Sequence, residues 1–455
     1  VKPRRTKAPL DARSAAFLTL RDTAGGRFPE EALEERAAGL SPRERGLAHH
    51  LVLGVLRYRG RLDYVLGRFL SRPDRPLAEE VRDILRLGAF QLIYLDRVPA
   101  SAAVNESVNL AKRYGPGWSA SLVNAVLRAM TRAERLPDPE DDDLPPVQKL
   151  ALSQSYPEWI VRRLLDRFGP EETRQILEAG NEIAPLTLWV NTRRTTAADL
   201  AARLADWAER VEPTPYAPDG LRVFGAKGAV ARFPGFAEGL FLVQDEASQA
   251  ATLLARPENS GRVLDACAGL GGKALHLALA SEGAVTAMDP DPGRLGRLRL
   301  QADRLGPDRL SIVRGDLLAA PFREAAFEAV LVDAPCSNLG AIRRRPDVKW
   351  LQSAQDPARQ AEAQIKLLSA AARLVKPGGR LIYSVCTFTL EETTGVVEAL
   401  LARRPNMALA SAAEALPESA RGLVRPDGLL EAWPHRHGAD GFFAALFRKK
   451  GVDAE

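Results

Sequence analysis

The sequence predicts three folded parts: an all-helical bundle, a small α+β segment and a doubly wound α/β domain. Three observations carry that reading. Apolar residues recur every three or four positions up to about residue 133. An acidic, proline-rich stretch follows. Beyond about residue 240, short β-branched runs alternate with helical stretches. The 455 residues suit about three domains, and 46% hydrophobic with 27% charged residues is ordinary for globular chains.

The first part is residues 1–133. Ser41-Pro42-Arg43-Glu44 is a capping box with proline at the first helical position. Leu47, Leu51, Val55, Tyr58, Leu62, Val65 and Phe69 then mark one apolar face. The same spacing returns in Val81, Ile84, Leu85, Gly88 and Leu92, and in Leu122, Val126 and Met130, with Gly115-Pro116-Gly117 as punctuation. Residues 134–147 mix Asp and Glu with four prolines, which predicts an extended linker. Residues 148–239 hold an amphipathic helix opening at Tyr156-Pro157-Glu158-Trp159, a strand-like Leu186–Thr192 and a helical Ala197–Ala208. That mixture predicts a small α+β connecting domain.

The third part is residues 240–455. Its predicted strands are Arg262–Ala268, Ala284–Asp289, Leu310–Asp316, Glu328–Ala334 and Gly379–Cys386. Helices are expected at Lys273–Ala280, Arg294–Leu305 and Arg359–Leu374, and an antiparallel final strand at Phe442–Phe447. Such alternation builds a parallel sheet, whose ligands sit at the carboxyl ends of the strands.

Composition narrows the function classes. No apolar run is long enough to cross a bilayer, and no apolar signal core follows the basic Val1–Lys7, so a cytoplasmic protein is expected. Three cysteines, Cys267, Cys336 and Cys386, are too few for a disulfide scaffold. With only five histidines beside them, no metal site is expected; His435 and His437 form a pair without a further ligand. The net charge is +5, and 52 of the 63 basic residues are arginine, whose planar fork suits phosphate. A plain compositional bias toward arginine explains this equally well.

The strand ends carry the chemistry. The first predicted strand runs into Asp265-Ala266-Cys267-Ala268-Gly269-Leu270-Gly271-Gly272-Lys273-Ala274, a loosened dinucleotide fingerprint with small residues at Gly269, Gly271 and Ala274. No Ser or Thr follows Lys273, so it is not a P-loop. Asp289 closes the second strand, 20 residues after Gly269, where an acid can hold a ribose diol. Asp316 closes the third, placed for an adenine amino group. Both NAD and S-adenosylmethionine fit these three features. Strands four and five end in Asp333-Ala334-Pro335-Cys336-Ser337 and Tyr383-Ser384-Val385-Cys386-Thr387. Hydride transfer has no use for two such thiols. Methylation at carbon 5 of a pyrimidine does, because a thiolate must first add to carbon 6 and a base must later remove the carbon-5 proton. An Asp at the cytosine edge assists the charge build-up. Either thiol could be the nucleophile.

In these residues the chain resembles a known family. VLDACAGLGGK, AMDPD, LVDAPCS, GAIRRRPDVKW (Gly340–Trp350), YSVCT and DGFF (Asp440–Phe443) are similar to the bacterial 16S ribosomal RNA cytosine-C5 methyltransferases of the Sun/Fmu family. GVLRYRGRLD (Gly54–Asp63) and LVNAVLR (Leu122–Arg128) resemble the NusB-like RNA-binding domain of that family, so the likeness spans nearly the whole chain. It implies an all-α NusB-like bundle, an α+β connector and a Rossmann-like class I methyltransferase domain. It implies S-adenosylmethionine bound by Cys267, Ala268, Gly269, Leu270, Gly271, Gly272, Lys273, Asp289, Asp316 and Asp333. It further implies Cys386 as nucleophile, Cys336 as the thiol of product release, Arg343-Arg344-Arg345 near the RNA backbone, and 16S ribosomal RNA as partner of a monomer. Arg57, Arg59 and Arg61 are candidates for a basic face on the bundle. Leu270, Ala274 and Val385 stand where the family usually has Pro, Ser or Thr, and Thr.

Three other readings stay in view. A methyltransferase acting on transfer RNA or DNA shares the chemistry. A non-enzymatic RNA-binding factor would account for the bundle alone, and a nicotinamide-dependent oxidoreductase for the first loop alone.

Overall fold

The computed structural model describes residues 10–257 and 260–451. The basic Val1–Lys7 lies outside the described residues. Two compact units form, one of residues up to Asn181 together with Arg345–Ala354, the other of Glu182–Arg344 and Gln355 onward.

The first unit is helical throughout. Its helices are α1 (Ala12–Ala24), α2 (Pro29–Arg36), α3 (Pro42–Gly67), α4 (Glu79–Tyr94), α5 (Ala100–Tyr114), α6 (Ser119–Arg132), α7 (Pro146–Ser153) and α8 (Glu158–Asn181). The Ser41/Glu44 capping box forms as its sequence requires. Leu51, Leu62, Val81, Ile84 and Phe90 are fully or nearly fully buried in one core, the apolar stripes having met. Gly54 and Gly88 let neighbours close in, since a Cβ at Gly54 would overlap the Phe90 ring at 2.0 Å. α8 continues past Phe168 because Gly169, at φ 71°, bends it instead of ending it.

The acidic stretch is not an extended linker. It turns through a short 3₁₀ segment at Pro139–Asp141, and its carboxylates pair with α3: Asp138 with Arg61 at 2.9 Å, and Asp142 with Arg68 and with the Tyr64 hydroxyl at 2.7 Å. Cations across the fold remove the mutual repulsion that the sequence alone displays.

The second unit begins with four antiparallel strands, β1 (Leu186–Val190), β2 (Arg210–Pro213), β3 (Gly220–Phe224) and β4 (Phe241–Val243), ordered β2-β3-β1-β4, with α9 (Ala197–Leu204) packed on them. Next come α10 (Glu246–Leu254), β5 (Val263–Asp265), α11 (Gly272–Ala280), β6 (Val285–Asp289), α12 (Pro292–Leu305), β7 (Leu310–Arg314) and β8 (Phe327–Asp333). After α13 (Val348–Leu351), which belongs to the first unit, follow α14 (Asp356–Leu374), β9 (Val375–Val385), α15 (Thr394–Arg403), β10 (Met407–Ala410), β11 (Leu430–Ala432), α16 (Pro434–His437) and β12 (Phe442–Lys449).

The large sheet runs β10-β12-β9-β8-β5-β6-β7, with β11 on β12. Strands β5 to β9 are mutually parallel, and β12 is antiparallel to β9. Alternate residues of each strand enter opposite cores: Val263, Ala329 and Ile382 one, Leu264, Val330 and Tyr383 the other. The chain order reverses between β5 and β8, so a crevice opens at their carboxyl ends. That point positions everything below.

Candidate active site

The β5–α11 loop is a cradle of backbone. Gly269 has φ 54° and Gly271 φ 90°. A Cβ at Gly271 would lie 2.5 Å from Leu298, whereas one at Gly269 would meet open space within 4 Å. Gly269 thus leaves its face of the loop clear for a ligand. The Gly269 N–H donates to Asp289 Oδ2 and the Asp291 N–H to Asp289 Oδ1, both at 2.9 Å. These amides hold the carboxylate still, and each oxygen keeps a lone pair for a diol. Asp316 is exposed at the end of β7, its Oδ1 accepting from the Leu318 N–H at 2.9 Å.

Behind the loop, Asp265 is 1% exposed and its Oδ1 has no hydrogen-bond partner. Burial, and then the Asp333 charge, pushes its carboxyl up to about 7. A buried acceptor left open beside a glycine cradle fits a ligand carrying an N–H or ammonium group. Burial, then Asp265, also pushes the Cys267 thiol up. Lys273 Nζ lies 2.7 Å from Asp333 Oδ2. Burial works to lower the Lys273 pKa, but the charge and hydrogen bond of Asp333 together with the other nearby negative groups outweigh it, and the ammonium is held above its ordinary value. The other Asp333 oxygen accepts from Ser384 Oγ at 2.7 Å.

The two thiols meet on adjacent strands. β8 and β9 pair Asp333 with Ser384, and the loops that leave them carry Cys336 and Cys386 with sulfurs 3.5 Å apart. The hydrogen bond to Cys386 and then burial push the Cys336 thiol well above the usual range. Beneath the sulfurs, Glu392 is fully buried and ties the loops together. Its Oε1 accepts from the Ser337 N–H at 2.8 Å and from Gln364 Nε2 at 3.0 Å. Its Oε2 accepts from Ser337 Oγ at 2.5 Å and from Thr389 Oγ1 at 2.9 Å. Gly340 donates its N–H to the Cys386 carbonyl at 2.9 Å, and a Cβ there would sit 1.9 Å from the Gly441 oxygen. Glycine is obligatory at that crossing.

The arginine run is not left unpaired: each of its side chains meets a carboxylate of the protein. Arg343 is 4% exposed and lies 3.1 Å from Asp440 Oδ1. Arg344 binds Asp440 Oδ2 at 2.6 Å and Asp245 Oδ2 at 3.0 Å. Those two carboxylates outweigh burial and raise the Arg344 pKa. Arg345 belongs to the helical unit, 2.7 Å from Asp347. Nor do Arg57, Arg59 and Arg61 form a basic face: Arg57 is buried, Arg59 stacks on Trp350 and Arg61 pairs with Asp138. His437 Nδ1 accepts from the Trp433 N–H at 2.9 Å.

The residues expected to bind cofactor and those expected to react thus gather at one end of one sheet. Sequence reasoning passed over Asp265, Ser384, Asn338 and Glu392. The first two stand inside the quoted motifs at strand ends, which is signal enough. Glu392 has none, since its partners are scattered from Ser337 to Thr389.

Residues 251–448 match the family model for 16S rRNA methyltransferase RsmB/F, residues 10–132 the NusB family, and residues 156–229 the ferredoxin-like domain of RsmF/B-like methyltransferases. The chain is 37% identical to the Bacillus subtilis (strain 168) protein named "Probable ribosomal RNA small subunit methyltransferase B", over 90% of this chain and 92% of that one. A Synechocystis protein of the same name is 34% identical over 97% of this chain and 100% of its own. The crystal structure of PH0851 shares the fold with a TM-score of 0.80 at 24% identity, covering 98% of this chain and 100% of that one. Among the described residues no helix is long and apolar enough to cross a membrane. The chain belongs to the RsmB/F family of 16S rRNA methyltransferases, as an RNA methyltransferase with a NusB-family N-terminal domain.

Proposed function

We propose that this protein methylates carbon 5 of a cytosine in 16S ribosomal RNA through a covalent adduct with Cys386. The observation that carries this reading is the pair of sulfurs, 3.5 Å apart, on the strands next to the glycine cradle. S-adenosylmethionine supplies the methyl group as a sulfonium electrophile. Gly269, Gly271 and Asp289 suit its adenosine part, and the open Asp265 oxygen suits its ammonium end.

The Cys386 thiolate adds to carbon 6, forming a C–S bond and pushing the ring electrons onto carbon 5. Carbon 5 takes the methyl group as the sulfonium C–S bond breaks. Cys336, once its own proton has passed to water, receives the carbon-5 proton, the ring double bond re-forms and the Cys386 thiolate leaves. Because burial and its neighbour hold Cys336 protonated at rest, it competes poorly as the nucleophile. Asp333, held by Lys273 and Ser384, meets the cytosine edge where charge builds.

The test is transfer of tritiated methyl from S-adenosylmethionine to deproteinised ribosomal RNA, transfer RNA and DNA. Label in 5-methylcytosine of 16S RNA is expected; label confined to another nucleic acid, or to another base, overturns the reading. Asp289→Ala should weaken S-adenosylmethionine binding about tenfold or more by calorimetry, the ordinary effect of losing a charge-assisted bidentate contact. Unchanged affinity would remove Asp289 from the cofactor site.

A further inference from the structure

A third side chain joins the two thiol loops. Asn338, two residues after Cys336, has φ 58°, a left-handed backbone shared by only two other non-glycine residues among those described. Asparagine is one of the few side chains that tolerate this region. Its Nδ2 donates to the Cys336 carbonyl at 2.9 Å, which decides which end of the amide is which. The amide oxygen consequently faces the sulfurs, 3.1 Å from Cys386 Sγ and 3.9 Å from Cys336 Sγ. That oxygen can only accept. It favours Cys386 as S–H and repels it as a thiolate, while Cys336, 3.5 Å away, can donate to the ionised sulfur.

We propose that Asn338 is a positioning residue: its amide oxygen holds the Cys386 proton at rest and turns the sulfur toward substrate once that proton leaves. The role in turnover rests on Cys386 being the nucleophile; the effect on the thiol does not. The other titratable groups around the sulfurs are Cys336, Glu392 and Tyr383, with Lys273 and its partner Asp333. Of these, only Cys336 touches Asn338, through its carbonyl and at 3.9 Å through its sulfur, so its alkylation is followed in the same spectra.

The experiment follows iodoacetamide alkylation of Cys386 in the full-length protein by peptide mass spectrometry, across the pH range where thiols ionise. Asn338→Gly keeps the left-handed backbone and removes the acceptor, so the midpoint should fall by roughly one pH unit. Asn338→Asp puts a charge where the acceptor was, and its midpoint should rise above wild type. A purely structural residue would change melting temperature without ordering the midpoints glycine, wild type, aspartate. A midpoint in Asn338→Gly at or above wild type overturns the proposal. Alkylation needs neither RNA nor methyl donor. Methylation that survives Cys386→Ala would instead sink the functional reading, and the two failures are told apart.

Discussion

Cys336→Ala should leave the protein covalently joined to its RNA, with the transferred methyl inside the complex. The alanine removes the group that takes the carbon-5 proton, whereas the nucleophile and the cofactor cradle stay in place. Addition and methyl transfer proceed; elimination stalls. Cys386→Ala should give neither adduct nor product, since the ring is never activated, with activity lost to background. A denaturing gel with labelled methyl donor reads both outcomes. The opposite pattern, adduct from Cys386→Ala and none from Cys336→Ala, would exchange the roles. The sulfurs are 3.5 Å apart, with Cys336 buried and Cys386 partly exposed, so the two substitutions probe neighbouring positions of one pocket.

Asp440→Ala should be the most destabilising single change outside the hydrophobic cores. Asp440 is 5% exposed and answers two guanidinium groups, Arg343 at 3.1 Å and Arg344 at 2.6 Å. Removing it strands buried positive charge, at a cost of about 3–5 kcal/mol. For a unit of this size that lowers the melting temperature by on the order of 10 °C. Asp440→Asn keeps an acceptor and should lose less. Because Arg343 and Arg344 sit seven and eight residues beyond Cys336, activity should fall below the melting transition as well. Scanning calorimetry and methyl transfer on the same samples check both parts. Equal stability of Asp440→Ala and wild type would show that the arginines find other partners.

The sheet was legible in sequence because β-branched runs and helical spacing are local signals. The five parallel strands stand within a few residues of their expected places, β9 starting earlier than expected, at Val375. The strand-end motifs were legible for the same reason: glycines, acids and cysteines at a β-to-α turn do one kind of work. Arginine was not. Arg343 and Arg344 read as cations for an RNA backbone because their partner Asp440 lies nearly a hundred residues away. The acidic stretch read as repulsive because its partners, Arg61 and Arg68, stand in α3. A sequence displays charges; the pairing that decides their energy is tertiary. Asn338 was missed for a related reason, since its role lies in an amide orientation that only the folded loop determines.

The ten residues Arg345–Ala354 leave the α/β unit and return to it. While away, Lys349 is fully buried and its Nζ donates to the carbonyls of Arg57 and Ser155 and to Asn181 Oδ1, at 2.9–3.0 Å. Trp350 Nε1 donates to the Leu56 carbonyl at 2.6 Å. The NusB-family region is therefore no detachable cassette. A gene cut after residue 181 would orphan an ammonium and an indole on the peptide that leads away from Cys336, and one after residue 133 would strip the indole and one of the ammonium's three partners. Lost activity in such a fragment would report a damaged thiol loop as much as lost RNA binding. Exchange of N-terminal domains between relatives should succeed only when the ten-residue visitor is exchanged with them, so the unit of inheritance here is two stretches of gene.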